Sequence, residues 1–170
     1  MRFARLALFS AAVVLALAAS AAAVAMRPPP VEDGTLSVRD GRATIHLRMK
    51  GGLIGRFAQG SLTLTRAPED ASTIVVRGAE RTRFVNARKT VYTGRNIRFR
   101  ISGDRKFTVR IHASKINFSA VGLGDGWLDG WGNPDRGVYF DGSFSLNGAA
   151  YRSLPDDREL IQLEAVPTDS

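Results

Sequence analysis

The chain has 170 residues, 44% of them hydrophobic and 24% charged, and carries a formal net charge of +8. That is enough for one domain with a core of its own, at ordinary globular composition. With no cysteine, a disulfide scaffold, a thiolate metal site, a thiol nucleophile and a lipid-modified N-terminal cysteine are all excluded, so stability must come from packing.

Residues 1–25 read as a targeting segment. Arg2 and Arg5 precede an apolar run through AVVLALAA, and Ala23-Val24-Ala25 forms a small-residue cleavage site before Met26. No charge interrupts the chain between Arg5 and Arg27, and the stretch is long enough to span a bilayer. It is expected either to be removed as a signal peptide or to stay as a single N-terminal transmembrane helix. In both cases the rest of the chain is exported, as a secreted or cell-envelope protein. Residues 26–33 (MRPPPVED) form a stiff linker, because successive prolines fix φ and donate no hydrogen bonds.

From residue 34 to 165 the pattern is that of one β-domain, with 166–170 as a flexible tail. Leu36 and Val38, then Asp40-Gly41, then Ala43, Ile45, Leu47 and Met49 predict a hairpin with a two-residue turn that sets Val38 opposite Ala43. Gly51-Gly52 breaks the strand, and Gly60 marks a bulge or bend before Leu62 and Leu64. TIVVRG (73–78) and TRFVN (82–86) predict two short strands. Ile97, Phe99 and Ile101, and then Phe107, Val109 and Ile111, alternate with Arg98, Arg100, Arg110 and His112, which predicts a central hairpin around Asp104 with one greasy and one basic face. Its register sets Arg98 opposite Arg110, a repulsive arrangement that something must offset. The final ELIQLEAV suits a closing strand, although Pro155 with Asp156 and Asp157 would also suit the first turn of a helix. A weak echo at an offset of 62, from Gly41–Gly60 to Gly103–Gly122, suggests a repeated unit. The expected fold is all-β: an antiparallel sandwich or partly open barrel of short strands, preceded by the N-terminal hydrophobic signal or anchor helix.

Motifs for catalysis are lacking. No G-x-S-x-G, H-E-x-x-H, Walker A or Rossmann glycine pattern occurs, and both histidines, His46 and His112, stand beside arginines on polar strand faces. No cofactor, metal site or catalytic residue is expected. Charge is more informative. Between Arg77 and Lys115 twelve basic residues face two acidic ones, a net of +10; from Ile116 on, three basic residues face nine acidic ones, a net of −6. For an exported domain the natural partners of such a basic stretch are anionic lipid or an anionic cell-envelope polymer, with Arg98, Arg100, Arg110 and His112 as the contacting residues. Nucleic acid is not expected, since no aromatics interleave with the basic face. The competing possibility is that the acidic C-terminal third packs on the basic strands and neutralises them. A second candidate is the loop region 122–142, where Trp127, Asp129, Trp131, Asn133 and Asp135 combine rings and polar groups as carbohydrate-binding or hydrolytic sites do. The same residues also suit core and turn positions.

Overall fold

The computed structural model describes residues 32–66, 73–132 and 141–164. The leader 1–25, most of the proline linker, the loop residues Asn133 and Asp135 and the tail 166–170 lie outside the described residues. Every element described is a strand: β1 (Gly34–Thr65), β2 (Thr73–Arg77), β3 (Arg81–Asn86), β4 (Lys89–Gly130), β5 (Ser143–Leu146), β6 (Arg152–Ser153) and β7 (Glu159–Leu163). All pairings are antiparallel. The C-terminal ELIQL is therefore a strand, on the edge of β4 opposite Gly124–Leu128.

The architecture rests on β1 and β4, which are not the short strands expected. From Ala43 to Thr65 β1 is bonded to β4 along both of its edges. Ile111 of β4 lies between Ile45 and Leu62, two residues of the same strand seventeen positions apart. Seventeen extended residues reach about 56 Å, yet each of the two sits one strand spacing, about 4.8 Å, from Ile111. Only a ribbon that coils back beside itself satisfies both distances. The coil does not close, because β2 and β3 lie at one side of the sheet and β5, β6 and β7 at the other.

Coiling needs sharp bends, and β1 makes one at Gly51, where its β4 partners shift from Met49↔Phe107 to Gly51↔Gly103. Gly51 also faces Gly122 with both at positive φ (123° and 150°), and a Cβ on Gly122 would lie 2.0 Å from the Lys50 carbonyl oxygen. The backbones touch, so no side chain fits. Gly60, the echo of Gly122, has nearly the same φ, 151°.

Neither predicted hairpin turn forms. Val38 pairs with Phe118 and Ala43 with Ala113, so the strand runs on through Asp40-Gly41. Asp40 takes a left-handed φ of 49° as a bulge, tied by its N–H to Asn117 Oδ1 (3.2 Å) and by its Oδ1 to Asn117 Nδ2 (3.2 Å). Likewise Ile101 pairs with Leu53 and Phe107 with Met49, and the chain between them stays extended. The faces are nonetheless as expected. Ile97, Phe99, Ile101, Phe107, Val109 and Ile111 are buried, while Arg98, Arg100, Arg110 and His112 are exposed. These six join Leu36, Leu47, Phe57, Leu62, Phe118 and Phe144 in one apolar cluster. Among the described residues there is no helix to cover this face, so the sheet covers itself by coiling.

Candidate anion-binding site

Coiling decides which outward side chains become neighbours. β2 and β1 flank the same part of β4, and the register sets Arg77 opposite Arg98 and Arg98 opposite Arg56. Three arginines thus stand in a row across three adjacent strands. Two residues further along, Arg100 lies between Val75 and Ile54, and these two apolar residues are exposed, at 40% and 58%. Between the rows runs a cleft of about 490 Å³ lined by Arg56, Arg77, Arg98 and Arg100 with Ile54, Val75, Gly55 and Phe99.

No carboxylate among the described residues pairs with these four arginines. Described acidic residues of the C-terminal third instead engage that region's own cations, Arg152 with Glu159 and Arg158 with Asp129 at 3.9 Å. Like charges directly opposed across a ladder are unfavourable, so the row is a cost that the described fold leaves standing.

Of the four expected contact residues, the structure brings Arg98 and Arg100 into this site and places Arg110 and His112 elsewhere. Arg110 pairs with His46 and Thr63. Thr63 is seven residues beyond Arg56 on β1, about 23 Å along the strand. Arg56 and Arg77 were missed: their outward alternation was readable, but their adjacency to Arg98 depends on long-range register.

Arg110 and His112 belong to an aromatic strip. Trp127 stacks on His46, with ring centroids 5.5 Å apart and planes within 10°, and carries the Arg158 guanidinium 4.2 Å from its centroid, with Arg110 at 5.9 Å. Trp131 donates from Nε1 to Thr44 Oγ1 (3.2 Å), which also lies 2.8 Å from His112 Nδ1, and the Trp131 and His112 rings meet at 4.3 Å. The Arg42 guanidinium lies 5.7 Å from the Trp131 centroid, so both indoles have a cation and an imidazole as neighbours, and Asp129 is drawn toward Arg158. Burial and the Arg110 charge lower the His46 pKa, with Asp125 opposing and Arg158 adding.

One carboxylate is out of place. Asp141 is 4% exposed, and neither of its side-chain oxygens has a hydrogen-bond partner among the described residues. Burial raises its pKa; Arg42 opposes, Asp156 adds, and the Trp131 N–H, which donates to Arg42 O at 3.1 Å, contributes last in the lowering direction. Among the described residues no three His, Asp or Glu side chains converge as metal ligands would. Comparison with protein-family models, with curated proteins and with solved structures finds no match to this chain.

Proposed function

We propose that this chain is an exported, non-catalytic binding or scaffolding domain of the cell envelope that meets an anionic surface or polymer through its basic face. The observation that carries the reading is the row Arg77–Arg98–Arg56, three arginines set side by side by strand register with no described carboxylate paired to them. A partner that supplies the missing negative charge removes a cost the fold otherwise bears. In this reading the coiled sheet is a partly open barrel, and residues 1–25 deliver it across a membrane or hold it there.

The test is adsorption of the purified protein to anionic phospholipid vesicles and to anionic wall polymer, against neutral vesicles, over a range of salt. Binding is expected to the anionic partners alone and to fall as the Debye length shrinks. Each basic residue near an anionic surface is worth about 1 kcal/mol, so the double substitution Arg56→Thr with Arg98→Thr should weaken vesicle binding about thirty-fold. Adsorption that ignores both salt and this substitution would overturn the reading.

A further inference from the structure

Beside the arginine row lies a second, smaller hollow of about 240 Å³, lined by Asp40, Asn96, Lys115 and Asn117 together with Arg56 and Arg98. Four described residues other than glycine have positive φ, and three of them line this hollow: Asp40 (49°), Asn96 (55°) and Lys115 (52°). Aspartate and asparagine tolerate the left-handed region, but lysine is strained there. A strained residue such as Lys115 at the edge of a cavity is a pointer to function.

The polar groups of the hollow are also arranged for a ligand. Asn117 is clamped at both ends of its amide: Oδ1 accepts from the Asp40 N–H at 3.2 Å, and Nδ2 donates to Asp40 Oδ1 at 3.2 Å and to Lys115 O at 3.4 Å. The Asp40 carboxylate is thereby engaged by an amide, and it forms no ion pair with Arg56, Arg98 or Lys115. Three cations against one carboxylate leave the hollow positive. Arg56 and Arg98 form the wall it shares with the larger cleft, where Ile54 and Val75 stand exposed. A cationic, hydrogen-bonding hollow therefore adjoins, across Arg56 and Arg98, a cleft with two exposed apolar residues.

We propose that the two hollows form one site for a single phosphate-headed lipid, with the phosphate among Arg56, Arg98 and Lys115 and the start of its acyl chain along Ile54 and Val75, across the aliphatic stem of the Arg100 that lies between them. The inference rests on the reading of the basic face as a binding surface, and it goes further by requiring a head and a tail in one molecule. A polyanion would use the arginines alone and leave Ile54 and Val75 without a role. A monoalkyl phosphate would use both, gaining about tenfold in affinity over inorganic phosphate for every two methylenes buried.

Titration calorimetry of the purified protein at low salt tests this with octyl phosphate below its micelle concentration, inorganic phosphate, a soluble polyphosphate and octyl glucoside. Octyl phosphate should bind at least about tenfold more tightly than inorganic phosphate, and octyl glucoside should not bind. The double substitution Ile54→Ser with Val75→Ser should close the gap between octyl phosphate and phosphate while leaving phosphate itself unchanged. Lys115→Asn, which keeps a residue suited to left-handed φ and removes the charge, should weaken both by a similar factor. If octyl phosphate binds the wild type no better than phosphate while polyphosphate or anionic vesicles still bind, the basic face stands and the lipid site is wrong. If no anion binds at all, both are wrong.

Discussion

Replacing Arg98 by Thr should make the protein more stable. Arg98 is opposed by Arg56 on one side and Arg77 on the other, so the substitution removes two directly opposed like-charge pairs at once. Each such pair costs about 0.2–1 kcal/mol, and threonine is at least as well suited as arginine to an exposed strand position. Some packing of the arginine stem is lost, so the expected net gain is about 0.5–1.5 kcal/mol. For a domain of this size that corresponds to a rise in Tm of about 2–6 °C. Urea unfolding at low and at high salt is the assay, read as a change in midpoint at unchanged slope. The gain should be largest at low salt and should shrink toward 1 M, where the Debye length falls to about 3 Å. Arg83→Thr is the control: Arg83 lies opposite Val91, and its removal should change stability by less than about 0.5 kcal/mol. A loss of stability in Arg98→Thr, or a gain indifferent to salt, would refute the claim that the row is unneutralised.

Three further outcomes follow from the described geometry. Gly122→Ala should cost about 2 kcal/mol or more in chemical denaturation, because the new Cβ would fall 2.0 Å from Lys50 O at a backbone φ of 150°. Asp141→Asn should stabilise the protein at neutral pH. Burial raises the folded pKa of Asp141 above the ordinary aspartate value of about 3.8, so its contribution to stability is fully present below that pH and is lost as pH rises through the folded value; the advantage of Asn should grow over that window and then level off. His46 has the opposite sense: its folded pKa lies below 6.5, so wild-type stability should fall as pH drops below 6.5 toward the folded pKa, and His46→Gln should flatten that part of the stability profile.

Alternation told which way each side chain points but not what stands beside it. Ile101 and Phe107 are six residues apart, so they share a face whether the chain turns back between them or runs straight on. A hairpin and an unbroken strand therefore leave the same trace in the sequence, and the Gly103-Asp104 pair favoured the hairpin where the strand runs on. At Asp40-Gly41 the signal for a left-handed residue was real, yet it served a bulge within β1. The basic face was legible from charge alone. Its composition was not: Arg110 and His112 fell in with the tryptophans, while Arg56 and Arg77 came from segments 42 and 21 residues before Arg98. Local turn rules carry no information about such pairings, which are set by how the ribbon coils. The same applies to Lys115, whose strain is a property of the folded backbone.

The double pairing of β1 also dictates an order of events during folding. No residue of β1 has a β4 partner nearer than Thr65 with Lys89, and Gly34 must wait for Gly122. As the chain emerges, β1 therefore has two unsatisfied edges and no local strand to occupy them, a state that invites pairing with other chains. Loop closures this long slow folding relative to a domain built from local hairpins. The last part of β4 has a special place in that sequence, since Gly122–Gly130 supplies the second edge for Ala43–Gly51. A chain stopped short of Gly122 would still hold both partners of the ribbon's first edge, yet it would leave that stretch of β1 open. Such a truncated form should collapse without becoming soluble, and the missing peptide added in trans should restore it.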